Sequence, residues 1–370
     1  MNDRLLNAAD ENKVELSRAD FSVLTARSGL FNVKQLSGFG FVAEGVGSRA
    51  GELVLVTRGT NFEGNKFDLG TNANCGIAFG PRGNPVHRGF LKTFKDYQNQ
   101  LANFVSDGGR KRPKTIHCMG HSLGGALANL NAAVLNDMGF DVHLYTIGAP
   151  RVGLLPFAND LMRRIPAERI RRAVNPCDPV PLVPLFPFVH GSRDVSEFLI
   201  TSGADKLNFA AHFMSDGYSL MMHKSSWTDF TRPTSLLRIH LNDLEAALVK
   251  VGGGQMFSVT TLRLIGEALT ALAKLFGHGY LTCLQVGFSA LFTAADLLAE
   301  MLIKVSRATD QFMEAVRTIL SAMLGFMGRA ALGSGDIAVT TLRWIVSQFA
   351  TEVSGVAQQA MLGALKGTGR

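Results

Sequence analysis

Ser122 sits in the run Gly120-His121-Ser122-Leu123-Gly124. A short apolar stretch, residues 115–119, precedes it and reads as a strand. An Ala/Leu/Asn-rich stretch follows and reads as a helix. A serine between glycines at a strand-to-helix turn is the arrangement that exposes a nucleophilic hydroxyl. Cβ atoms at positions 120 and 124 would clash in so tight a turn. The N–H of Leu123, at the helix start, is left to face developing negative charge. A serine hydroxyl is a poor nucleophile near neutral pH unless an imidazole takes its proton. The imidazole in turn needs a carboxylate to hold its tautomer. In turns of this kind the acid and then the base follow the serine along the chain. Asp178 is the best acid, because it lies in the Pro-rich stretch Asn175 to Pro181 directly after a strand. Asp205 and Asp216 are its rivals. His190, His212, His223 and His240 are the later imidazoles, and hydrogen-bond reach must choose among them. His117, His121 and His143 read as structural.

The elements that must hold these groups alternate. Residues 39–46, 52–57, 115–119, 141–147 and 168–174 read as strands. Residues 88–106, the stretch after Ser122, and residues 155–165 read as helices. This order predicts an α/β fold with a mostly parallel sheet and helices on both faces. Residues 1–35 read as an amphipathic helical entry with Leu16, Phe21, Leu24 and Leu30 facing the core. Residues 61–85 carry five glycines and Pro85 and read as a long irregular loop.

The totals narrow the function classes. Of 370 residues, 46% are hydrophobic and 18% charged, so a packed core is expected. The net charge of +7 comes without a long Lys/Arg block, which argues against nucleic acid and fits weak attraction to an anionic surface. Cys75, Cys118, Cys177 and Cys283 are far apart and form no metal or redox pair, so no cofactor or metal is expected. The N-terminus lacks a basic-then-apolar leader, which points to a cytosolic protein or to export without a cleaved signal.

Past residue 233 the composition changes. Gly252-Gly253-Gly254 reads as a linker, which divides the chain into residues 1–250 and a helical domain of residues 251–370. The tail holds nine Lys/Arg and seven Asp/Glu and is broken by glycines. Its segment 279–295 is uncharged but shorter than the roughly 20 apolar residues a membrane span needs. Val259-Thr260-Thr261-Leu262-Arg263 recurs as Val339-Thr340-Thr341-Leu342-Arg343, which reads as two similar helix starts.

Five motifs in order resemble the class 3 lipases, α/β-hydrolases related to the fungal triacylglycerol lipases. They are Arg58-Gly59-Thr60, Val86 to Phe90, Gly120 to Ala128, Tyr145 to Gly153, and Asn175 to Pro181. The resemblance covers roughly residues 40–225. It implies Ser122 as nucleophile, Asp178 as the acid, and Thr60 beside Leu123 in the oxyanion hole. It also favours His212 as base, since Tyr218 follows closely as in the family, with His223 next. His190 resembles a family histidine that lies near the site without being the base. The loop 61–79 falls where the family has its lid, with Phe62, Phe67, Leu69, Ile77 and Phe79 as an apolar face. The implied activity is metal-independent cleavage of lipid esters, of a glyceride or a phospholipid, at a lipid or membrane surface. Two alternatives stand beside it. One is a membrane-acting binding or pore-forming effector in which the tail is the active part. The other is an acyltransferase or protease on the same scaffold. The tail itself is expected to bind lipid, an inhibitor or another protein.

Overall fold

A computed structural model describes residues 22–28, 35–45, 47–58, 76–106, 113–190, 197–201, 205–222, 226–231, 246–249, 256–275 and 293–367. Seven strands form the main sheet: β1 (Ser22–Ser28), β2 (Gln35–Glu44), β3 (Glu52–Thr57), β6 (Thr115–His121), β7 (Asp141–Ile147), β8 (Ile170–Val174) and β9 (Glu197–Leu199). They lie in the order β1-β2-β3-β6-β7-β8-β9. The pairings from β3 to β9 are all parallel, and β1 and β2 join antiparallel at one edge.

The expected helical entry is corrected here. Residues 22–28 form a strand, paired from Ser22 opposite Val42 to Ser28 opposite Gln35 with a bulge between Leu24 and Thr25. Val23 and Thr25 suit a strand, and pairing with β2 outweighs the helical spacing of the apolar residues. Leu16, Phe21 and Leu30 lie outside the described residues. A second correction falls in the expected loop 61–85. Its end folds as a two-stranded ribbon, β4 (Ile77–Phe79) with β5 (Pro85–His87), turned by Gly83 at φ +72°.

Alternation along the strands sets the layers. Leu53 and Leu55, Ile116 and Cys118, and Val142 and Leu144 point to one buried face. Helices α1 (Arg88–Ser106) and α2 (Leu123–Asp137) pack on this side. The opposite face carries His117, Met119 and His121 beside His143, Tyr145 and Ile147, all half-buried. Helix α3 (Leu155–Arg164) follows β7. The sheet thus has the mostly parallel α/β order expected from the sequence.

The C-terminal region is helical, with α4 (Val259–Leu275), α5 (Ala294–Ser306), α6 (Asp310–Phe326) and α7 (Val339–Gly367). Both copies of the repeated pentapeptide begin helices, α4 and α7. Ser258 Oγ accepts the Thr261 N–H at 3.1 Å and caps the first. Thr293 and Asp296 form a reciprocal capping box on α5. Phe326 stacks edge-on against Phe257 and Phe349, with centroids 5.4 Å apart in each pair. One buried apolar cluster runs from Val42 and Leu55 of the sheet through to Val353 and Met361 of α7. Among the described residues no helix is long and apolar enough to cross a membrane; most of segment 279–295 lies outside them.

Candidate active site

The turn at Ser122 is built by close backbone approach. Ser122 itself has φ +56°, a region non-glycine residues rarely occupy and which stores roughly 1–3 kcal/mol of strain. A Cβ at Gly120 would lie 2.2 Å from the Gly124 carbonyl, and one at Gly124 would lie 2.1 Å from the Thr57 carbonyl oxygen. The glycines therefore let β6, α2 and the end of β3 meet. Thr57 Oγ donates to the Gly124 carbonyl at 2.7 Å and ties the turn to β3. The Ser122 N–H donates to the Ile147 carbonyl at 3.0 Å, fixing the turn against β7. Leu123 is the first residue of α2, where an N–H has no acceptor within the helix.

Two segments converge on this turn. Asp178, fully buried, follows β8 in the Pro-rich stretch. His212, also fully buried, ends the short helical turn Phe209–His212. Its Nε2 lies 2.9 Å from Ser122 Oγ and its Nδ1 lies 2.8 Å from Asp178 Oδ2. An ionised carboxylate only accepts, so Nδ1 carries the proton and Nε2 is left to accept from the serine. The arrangement can take a proton from Ser122 and stabilise the imidazolium that forms.

Asp178 is held on all sides. Its Oδ1 accepts the Val180 N–H at 2.8 Å. Its Oδ2 accepts Tyr218 Oη–H at 2.7 Å as well as the histidine. Tyr218 Oη in turn accepts the Asn175 N–H at 3.1 Å. Asn175 Oδ1 accepts the Cys177 N–H at 3.1 Å and shapes the loop. Sequence reasoning noted Tyr218 only as a marker for His212 and passed over Asn175. An Asn three residues before the acid, in a Pro-rich turn, was the available signal.

His121, read as structural, touches the same machinery. Its ring stacks on His212 with centroids 4.8 Å apart, and its Nε2 donates to the His212 carbonyl at 3.0 Å. Burial first, then the neighbouring His212, push its pKa down to about 4, so it is neutral at pH 7. His190 donates from Nε2 to the Pro181 carbonyl at 2.7 Å, behind the acid loop. Burial, with Arg172 and Arg151 nearby, drives its pKa well below the usual imidazole value. The rival acids stand elsewhere. Asp205 bonds the Thr260 N–H and Ser258 Oγ, and Asp216 lies exposed in the turn Met214–Ser219. His223, His240 and Thr60 lie outside the described residues, as do residues 61–75 of the expected lid. Ile77 at its end is buried and Phe79 is exposed.

Known proteins resemble part of this chain. The family model "Lipase (class 3)" matches residues 54–188. Residues 54–188 thus resemble a class 3 lipase domain. The secreted mono- and diacylglycerol lipase 1 of Fusarium solani is 35% identical over 162 residues, 41% of this chain and 45% of that protein. The toxin TseL of Vibrio cholerae is 39% identical over 118 residues, 31% of this chain and 17% of the toxin. A solved triacylglycerol lipase, in which a serine protease triad forms the catalytic centre, is 31% identical with a TM-score of 0.38. The match covers 50% of this chain and 68% of that one. The chain thus spans less than half the length of these two curated relatives.

Proposed function

We propose that this protein is a serine hydrolase that cleaves carboxylic ester bonds of lipids through an acyl-enzyme. The observation that carries the reading is the unbroken chain from Asp178 through His212 to Ser122, at 2.8 and 2.9 Å, ending on a strained turn. Ser122 Oγ attacks the ester carbonyl while His212 Nε2 takes its proton. The oxygen of the tetrahedral intermediate turns toward the Leu123 N–H, and Thr60 supplies the second donor. Losing one such donor slows turnover by about 10²–10³. His212 then gives its proton to the leaving alcohol. Water, activated by the same imidazole, releases the fatty acid. Asp178 keeps Nδ1 protonated throughout and stays ionised. No step calls for a metal or cofactor.

The substrate is a glyceride or a phospholipid presented at a lipid surface. The Fusarium relative acts on mono- and diacylglycerols, which favours glycerides. Of the described tail helices, α7 packs on the turn that ends at His212. Mass spectrometry of products from mixed glycerides and phospholipids, with Ser122→Ala as control, tests the reading. Fatty-acid release lost in Ser122→Ala supports it. Release unchanged in that variant overturns it. Similarity to the toxin TseL gives a second reading, in which the chain is a toxin. If the helical tail is the active part, Ser122→Ala remains as harmful as the parent.

A further inference from the structure

We propose that the helical tail is part of the catalytic apparatus: α4 and α7 clamp the loop that carries His212, with Asp205 and Gly363 as positioning residues. This rests on the hydrolase reading above. The loop from Asp205 to Phe213 is gripped at both ends by tail residues. At its start, Asp205 Oδ1 accepts the Thr260 N–H at 2.7 Å and Oδ2 accepts Ser258 Oγ–H at 2.8 Å. Two residues on, the Leu207 N–H donates to the Phe257 carbonyl at 3.2 Å. Asp205 thus seats on the N-terminal turn of α4, where a carboxylate meets free N–H groups. Burial raises its pKa, but the bonds from Thr260 and Ser258 outweigh that and leave the carboxyl below its usual range. A further tie holds α4 to the sheet edge, where Arg263 bonds Glu197 Oε1 of β9 at 3.1 Å.

At the loop's end, α7 packs against the turn Phe209–His212 and against the turn Val180–Leu182 that follows Asp178. One helix therefore backs both the base and the acid. The contact is tight at Gly363. A Cβ there would sit 3.0 Å from Cζ and 3.1 Å from Cε1 of the Phe213 ring. Phe213 is bonded in sequence to His212, and its carbonyl accepts the Gly217 N–H at 2.8 Å. A Cβ on Gly217 would lie 2.4 Å from the Ala211 carbonyl oxygen, so the turn is packed backbone on backbone. A displaced Phe213 ring passes its shift to the imidazole, because the turn has no slack to absorb it. Misplacing a catalytic group by about 1 Å costs about 10²-fold in rate.

Full-length protein carrying Asp205→Ala, Asp205→Asn, Gly363→Ala or Gly363→Leu tests the clamp. The first readout is the rate and endpoint of Ser122 labelling by a fluorophosphonate. The second is kcat and KM on a water-soluble p-nitrophenyl butyrate. The labelling endpoint counts folded sites, and the rate reads their geometry. Asp205→Ala and Gly363→Leu are expected to slow labelling and kcat about 10–100-fold, with endpoint and KM near parental. Gly363→Ala falls between Gly363→Leu and the parent. Asp205→Asn keeps an acceptor for the Thr260 N–H and recovers most of the rate. Parental rates in Asp205→Ala and Gly363→Ala overturn the clamp, even if Gly363→Leu fails to fold. Asp205→Asn as slow as Asp205→Ala also overturns Asp205's positioning role. A parent that is not labelled at Ser122 overturns the hydrolase reading, and the clamp with it.

Discussion

Replacing Tyr218 by Phe separates what holds the site together from what makes it react. The hydroxyl donates to Asp178 Oδ2 at 2.7 Å and accepts the Asn175 N–H at 3.1 Å, all in fully or nearly fully buried surroundings. Its loss removes a hydrogen bond to an ionised group, worth about 1.5–3 kcal/mol, and orphans a buried backbone donor at about 1–3 kcal/mol. Tyr218→Phe should therefore lower the unfolding free energy by about 3–5 kcal/mol. Turnover should respond differently. Asp178 keeps the Val180 N–H and the His212 Nδ1–H. Without the competing phenol its charge concentrates on the imidazole, so the tautomer survives. We expect kcat to fall less than about tenfold, against about 10⁴-fold when such an acid itself loses its charge. Urea unfolding followed by circular dichroism gives the first quantity. Ester hydrolysis normalised to Ser122 labelling gives the second. Destabilisation below about 1 kcal/mol, or a kcat as low as that of Asp178→Asn, would refute the reasoning.

Acid should destabilise the fold before it touches the surface carboxylates. His121, held near pKa 4, folds neutral, whereas the unfolded chain takes up its proton below about pH 6.5. The stability this residue contributes is full above pH 6.5 and falls by about 3 kcal/mol as the pH drops toward 4. His190 and His143, both shifted downward by burial first, act in the same direction. Unfolding free energies that stay level between pH 7 and 5 would contradict this. At the elbow, Gly124→Ala places a methyl 2.1 Å from the Thr57 carbonyl. It should abolish detectable Ser122 labelling in whatever protein folds, and parental labelling would show that the turn opens without consequence.

What the sequence reveals follows the range of each constraint. The elbow is legible because its glycines answer to atoms within a few residues and to one neighbouring strand. Asp178 is legible because prolines and the end of β8 fix its loop locally. His212 is not legible by itself. Its place depends on the loop 205–213, whose anchors Ser258, Thr260 and Gly363 lie up to 150 or so positions away, and resemblance to a family supplied the choice. Residues 22–28 show the opposite failure, where apolar spacing suggested a helix and pairing with β2 made a strand. His121 filled a variable position in its motif, and only the stacked ring and the bond to the His212 carbonyl reveal its contact with the base.

The acid binds these observations together. A carboxylate with no exposed surface is tolerated only when donors replace its lost water. Asp178 receives three, and each arrives from a different place: Val180 from its own loop, His212 from the turn after β9, and Tyr218 from the turn after that. The first two of these segments lean on α7. Folding energy and catalytic geometry are therefore stored in the same bonds. A tail that shifts by a fraction of an ångström would change the base before it changed the core. That ordering explains why a helical region far along the chain shares one continuous apolar cluster with the sheet, rather than being joined to it by a tether alone.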